Sequence, residues 1–207
     1  MPPQRPKPEV RQRFLDAAHA LFEARGFRDA SLRDVAARAG GSLGNLRAYF
    51  PTKDALFEAI CGAVADEIDL AIAQARALPM YRAQTQPRQT DHLLVQSVVT
   101  YVIEHRPALW LLLERSAGSA RAGWRERVQH AYVALEIHRL ETYVAAHRDR
   151  FTRVPSSELV RAICRMYLGL TEDFIRGELD EATFRRAVDE LDAFRHAGTT
   201  VFQLEEP

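Results

Sequence analysis

Cysteine is scarce in this sequence. Cys61 and Cys164 are the only two, far apart and without the short spacings of a zinc site or a disulfide framework. They read as buried, reduced thiols. No apolar run approaches the roughly 20 residues needed to span a bilayer. The opening Met1-Pro-Pro-Gln-Arg-Pro-Lys-Pro8 also lacks the apolar stretch of a secretory signal. Membrane insertion is therefore not expected, and the cytoplasm is the default location. Alternating β-branched sequence is nearly missing, and ten glycines and ten prolines are thinly spread, which argues against a sheet. What remains, 47% hydrophobic and 27% charged over 207 residues, is an ordinary globular composition long enough to bury a core.

Catalytic signatures are missing as well. The chain has no GxSxG, HExxH, P-loop or Rossmann glycine pattern. A di-iron bundle needs Glu-x-x-His pairs facing inward from two helices. None occurs; His138-x-x-Glu141 has the reverse order and stands once, as a surface ion pair would. No catalytic residue, metal ligand or cofactor is expected. A helical small-molecule-binding protein, or a bundle enzyme that regulates no DNA, is the competing reading.

The net charge is zero, but it is unevenly placed. Residues 1–53 carry a net +5 and the remainder a net −5. A basic first quarter on an acidic body suits a nucleic-acid-binding head, because neutralising phosphates supplies most nonspecific affinity.

Helical periodicity organises the rest. A Pro-rich arm over 1–8 leads into a helix from Glu9 to Arg25, which Gly26 ends as a left-handed residue. Ser31 caps the next helix, with Asp34 three residues on. Pro51-Thr52 opens a fourth helix from Lys53 to Ala77, striped by Leu56, Ile60, Val64 and Ile68. Residues 79–90 read as a loop in which Pro79 and Pro87 block helix continuation. Later helices fall near 91–105, 107–117, 121–150, 156–177 and 180–203. The fold class is all-α, with about nine helices. The chain divides into a 1–8 arm, a basic segment 9–52 and a remainder 53–207 that opens with the helix over 53–77.

Residues Leu32 to Phe50 read LRDVAARAGGSLGNLRAYF, two short helices that must cross tightly. Ala36 is small enough to allow the approach, and Gly40 suits a turn needing positive φ. Val35, Ala39, Leu46 and Tyr49 form the seam between them. Ser42 caps the second helix and aims its amides at a phosphate or groove. This is a helix-turn-helix whose second helix, about Leu43 to Phe50, would read the major groove.

The segments Ser31-LRDVAARA-Gly40 and Ser42-LGNLRAYFPTKDAL-Phe57, preceded by Phe22-EARG-Phe27, closely resemble the TetR family of bacterial transcriptional regulators over about residues 10–60. The resemblance implies a three-helix head, a connecting fourth helix and a helical body that binds a ligand and pairs with a second copy. It implies a homodimeric repressor released from a palindromic operator in double-stranded DNA by a small organic effector. It places Ser31, Ser42, Tyr49 and Lys53 at phosphates, and Leu43, Gly44, Arg47 and Ala48 facing bases. Chemistry agrees for Arg47, whose fork fits guanine O6 and N7. Three positions depart from the family: Gly41 stands for a bulky residue, Leu43 for a frequent Lys and Arg47 for an aromatic. Gly41 after Gly40 is expected to loosen the turn.

In the body, aromatics with a few polar handles are expected to line a ligand pocket, with Tyr101, Trp110, Tyr132 and Tyr167 chosen. The resemblance implies that the last two striped helices of each chain make a four-helix dimer interface, with Phe184, Leu191 and Phe194 as anchors.

Overall fold

Pro8 opens the first helix of the computed structural model, which describes residues 7–77, 87–146, 148–150, 153–200 and 202. The helices are α1 (Pro8–Asp29), α2 (Leu32–Arg38), α3 (Leu43–Tyr49), α4 (Lys53–Ala77), α5 (Pro87–Glu104), α6 (Arg106–Glu114), α7 (Trp124–Ala146), α8 (Ser157–Arg176) and α9 (Glu181–Thr200), with one 3₁₀ turn at Arg148–Arg150. The fold is all-α, with no strand among the described residues. None of the described helices is long and apolar enough to cross a membrane. Residues 1–6 of the expected arm and 79–86 of the expected loop lie outside the described residues.

Prolines mark starts here. Pro87, expected to interrupt, is instead the first residue of α5, where a missing amide costs nothing and the fixed φ is already helical. Gly26 does break α1, but with φ 76° and ψ 166°. That is the mirror-extended region open essentially to glycine alone, not the left-handed helical one expected. The break frees the Phe27 amide, which donates to the Arg115 carbonyl at 2.9 Å.

The packing divides into two units, Met1–Glu67 with Pro107–Glu126, and Ile68–Arg106 with Arg127–Pro207. The first unit thus extends past the residue 52 boundary drawn from sequence, taking in most of α4 together with α6. The reason is apolar. Phe22, Phe27 and Phe57 form a mutual ring cluster with centroids 5.3–5.8 Å apart. Leu56, Phe57, Cys61, Val64 and Ala65 are the buried face of α4, so the stripe is rotated from the expected one, and Ile60 and Ile68 are only half covered. Burying a large side chain of this kind contributes about 1.5–3 kcal/mol.

The α6–α7 connection is fastened to α4 within the same unit. The Ala120 amide donates to Asp54 Oδ1 at 2.7 Å. Arg121 reaches Glu58 through two hydrogen bonds of 2.8 and 2.7 Å and Asp66 at 2.8 Å.

In the second unit α8 and α9 pack as an antiparallel pair around stacked Phe174 and Phe184 rings, centroids 4.6 Å apart. Gly177 closes α8, and Asp180 caps α9 by accepting the Thr183 amide at 2.7 Å. Cys61 and Cys164 are buried free thiols, and burial pushes each up to about 12.

Candidate nucleic-acid interface

Seven residues make α3, and Ser42 starts it by accepting the Asn45 amide at 3.1 Å. Ser31 does the same for α2 through Asp34 N, also at 3.1 Å. The Asp34 carboxylate does not return to Ser31; it pairs with Arg25 at 3.3 Å across an exposed surface. Each serine oxygen accepts, so each hydroxyl proton remains free to donate outward. Leu46 is fully buried, with Val35 and Ala36 beneath it, which turns Gly44, Asn45, Arg47 and Ala48 to solvent and leaves Leu43 half covered. Ala39 and Tyr49, expected in the seam, are half-buried at its margin. Asn45 was not singled out from sequence. Its side chain stands among the exposed positions and can pair bidentately with adenine.

The turn holds one surprise. Gly40 has the positive φ that its position suggests, 66°. Gly41 does not loosen anything, contrary to expectation. Its amide donates to the Ala36 carbonyl at 2.8 Å, and a Cβ there would sit 2.9 Å from two ring carbons of Phe14. Phe14 is 1% exposed and fills the space that a larger side chain at position 41 would need. The glycine and the phenylalanine are complementary.

Tyr49 ends α3. Its ring tilts against Phe14 with centroids 5.8 Å apart, and its hydroxyl accepts the Lys7 amide at 2.9 Å. One turn on, the ammonium of Lys53 donates to the carbonyls of Phe27, Arg28 and Ala30 at 2.6, 3.1 and 2.9 Å. An ammonium has three protons, and all three are engaged. In this geometry Lys53 fixes the α1–α2 junction to the start of α4, and the phosphate role expected of it would require releasing a carbonyl.

The rest of the head surface is basic: Arg11, Arg13, Arg28, Arg33, Arg38 and Arg47 are all exposed. A shallow groove of about 300 Å³ lies between Arg13, Asp16 and Ala17 of α1 and Arg38 and Ala39 at the end of α2. Its charged lining suits water and counterions more than an apolar ligand.

The residues chosen for a ligand pocket fall in both packing units. Trp110 belongs to the head unit, where the Arg115 guanidinium stacks 5.1 Å from its ring centroid. Tyr101, Tyr132 and Tyr167 belong to the second unit. Tyr101 lies against His105 of its own helix, centroids 4.2 Å apart. Tyr132 and Tyr167 are close enough to interact electrostatically, beside Glu136, Cys164 and Arg195. Burial pushes the Tyr132 hydroxyl well above the ordinary tyrosine range and Tyr167 up to about 12. Tyr167 donates to Asp192 at 3.3 Å, and Arg195 holds that same carboxylate at 2.7 Å.

The expected dimer anchors separate too. Phe184 and Leu191 are 1% and 7% exposed, already covered by their own chain, so a partner can gain little from them. Phe194 is 66% exposed and remains available. The stripe of a two-helix element cannot distinguish its own neighbour from a second copy's.

Two capped crossing helices, with the second exposed on a basic surface, make a helix-turn-helix arrangement. Residues 14–60 match the family model "Bacterial regulatory proteins, tetR family". No curated protein matches the chain. Among solved structures it resembles NalD, the secondary repressor of the MexAB-OprM multidrug efflux pump in Pseudomonas aeruginosa, at 23% identity, covering 90% of this chain and 94% of that one with a TM-score of 0.57. A TetR-like transcriptional regulator from Rhodococcus sp. RHA1 matches at 24% identity over 95% and 99% of the two chains, TM-score 0.55. SmeT in complex with triclosan matches at 22% identity over 89% and 90%, TM-score 0.53. The head of this chain is similar to the bacterial regulatory proteins of the tetR family. The remainder shares the all-α fold of its regulators.

Proposed function

We propose that the protein is a ligand-responsive, non-enzymatic transcriptional regulator, a repressor that leaves a palindromic operator when a small organic effector binds its body. The observation that carries this reading is the presentation of α3: Leu46 buried, Gly44, Asn45, Arg47 and Ala48 exposed, and Ser42 capping the end that would face DNA. In it, Arg47, Ala48, Leu43 and Gly44 approach base edges, while Ser31, Ser42 and Tyr49 donate to phosphates that set register. Lys53 acts indirectly, by holding the α1–α2 junction. NalD is a repressor and SmeT is solved with triclosan; both support repression and effector binding by analogy of fold.

Two recognition helices related by a dyad would enter successive major grooves, which makes the operator palindromic with half-sites about 34–36 Å apart. The second copy is expected to pair through the α8–α9 faces, with Phe194 as its exposed anchor. For release, the chain passes between the two packing units at Glu67–Ile68, Arg106–Pro107 and Glu126–Arg127. A ligand that displaces α5 or α7 pulls on the α6–α7 connection, which Asp54, Glu58 and Asp66 tie to α4. The coupling needed is about 1–3 kcal/mol, and the ligand must prefer the conformer that does not bind DNA.

The test is selection of bound fragments from a random duplex library, followed by gel shift at several salt concentrations. A palindromic consensus with steep salt dependence is expected. Failure to retain any duplex at low salt excludes the reading and returns the bundle-type binding protein.

A further inference from the structure

We infer that a hollow among α7, α8 and α9 of the second unit takes a neutral effector with an apolar body and one hydrogen-bond-accepting head, such as a ketone, ester or lactone. The Tyr132 hydroxyl and the Arg139 Nε–H receive that head. The inference rests on the effector reading above and names the chemistry of the ligand.

The hollow is read from α7. Beyond Trp124, only Leu135 and Val144 of this helix are buried, and its other large apolar residues Val133, Ile137 and Leu140 are half covered. Tyr132 shows what this means. It lies deep enough for burial to push its hydroxyl well above the ordinary tyrosine range, yet the residue stays partly accessible. A group that protein surrounds and a water-sized molecule still touches stands on the wall of an internal space. The inward stripe of α8 repeats the pattern. Cys164, Phe174 and Ile175 are buried, while Tyr167 and Thr171 between them are half covered.

Two donors on this wall lack acceptors. The Tyr132 hydroxyl has no hydrogen-bond partner among the described residues, and the Arg139 Nε–H is buried without one. Glu136 joins the two. Its charge acts on Tyr132 and on Cys164 of α8, and its Oε1 accepts from Arg139 Nη1 at 3.2 Å. Tyr132, Glu136 and Arg139 therefore share one face of α7, at the spacing that brings helical neighbours together. A donor left unpaired in the interior costs free energy, and a carbonyl oxygen has two lone pairs to offer.

Charge decides the class of ligand. Arg139 already faces Glu136, and Arg195 faces Asp192 at 2.7 Å. Each of these cations has its carboxylate. A carboxylate on the ligand would be buried without a counter-charge, and an amine would compete with Arg139 for Glu136. A neutral acceptor enters without disturbing either pair.

The experiment titrates the full chain, without DNA, at a pH of about 8 where an ordinary histidine is neutral. The probes are phenyl, naphthyl and octyl skeletons, each as hydrocarbon, methyl ketone, carboxylate and primary amine, and calorimetry reads binding. On the skeleton that fits, the methyl ketone is expected to bind about tenfold more tightly than the other three heads. Y132F and R139K should each lose about tenfold for the ketone and leave the hydrocarbon unchanged. R139K keeps a positive charge beside Glu136 while removing the guanidinium donor. Both variants should melt close to the wild type, since neither donor is paired in the free chain. A carboxylate or amine that ranks first, ketone affinity unchanged in both variants, or no probe binding at about 1 mM overturns the site. Because no DNA is present, failure of the regulator reading, seen as no duplex retained at low salt, leaves this ranking as it stands.

Discussion

Lys53 and Phe27 meet twice: the ammonium donates to the Phe27 carbonyl at 2.6 Å and lies 4.4 Å from the centroid of the same residue's ring. One side chain therefore caps the end of α1 by hydrogen bonds and closes the Phe22–Phe27–Phe57 cluster by a cation–π contact. Replacing Lys53 with Met keeps the aliphatic stem and removes the charge. The three carbonyls lose their donor, and a charge-assisted bond contributes about 1.5–3 kcal/mol, so K53M is expected to destabilise the head by about 2–4 kcal/mol. Urea unfolding measures this. Operator affinity should fall with the salt slope changed by well under one; a drop of a full unit would mean that Lys53 reaches a phosphate.

Gly41→Ala tests the turn. The added Cβ would press on a ring that has no room to move, and overpacking of this kind costs about 1–3 kcal/mol. The expected outcome is a lower melting temperature together with weaker operator binding, because α3 is tilted. Phe14→Leu in the same chain should recover part of the loss, and a double-mutant cycle should give a favourable coupling. Simple additivity would refute the steric account.

Arg47→Ala should relax preference at one base pair per half-site, with a loss of about 1–3 kcal/mol against the selected sequence and little against others. The comparison is between sequence logos selected by the two proteins. An unchanged logo would remove Arg47 from base reading and shift attention to its exposed neighbour Asn45.

Asp192 sets an acid limit on the second unit. Burial opposes its ionisation, but Arg195, His196 and the Tyr167 hydroxyl outweigh burial and hold the carboxyl below its ordinary 3.8; His92 also faces it at 3.6 Å. A depressed folded value means that ionised Asp192 favours the folded state. Its contribution is complete above about pH 4 and disappears as pH falls through the lower folded value. Asp192→Asn should cost about 2–3 kcal/mol at neutral pH, somewhat less than a fully buried pair because Arg195 is partly wet, and should flatten stability over the acid range. Unfolding curves from pH 3 to 7 check the sign; a mutant with the wild-type acid slope would show that another carboxylate governs it.

Local chemistry made the head legible in sequence. Ser31, Ser42 and Gly40 act on amides and torsions within three residues of themselves, so their types declare their roles. The partners of Lys53 stand 23 to 26 positions away and are main-chain carbonyls, which carry no residue identity to read. Gly41 was misjudged for the same reason, since its constraint comes from Phe14 on another helix. In the body, periodicity located α8 and α9 but could not apportion their apolar faces, so Phe184 and Phe194 looked alike until their surroundings separated them. Asn45 could have been found by treating every polar residue of α3 opposite Leu46 as a candidate reader.

The Phe27–Arg115 hydrogen bond and the Arg121 ties make the head discontinuous along the chain. The ribosome finishes the tetR-like segment long before it makes Pro107–Glu126, which the same packing unit includes. At ordinary synthesis rates the stretch from Glu67 to Glu126 takes about 3–12 s. Through that interval the nascent head has no Arg115 carbonyl for Phe27, no Arg121 for Glu58 and no buried Trp124. A fragment ending near residue 67 should accordingly behave as an incomplete folding intermediate. The head unit is complete only when residue 126 has emerged, by which time α5 of the second unit has been made as well.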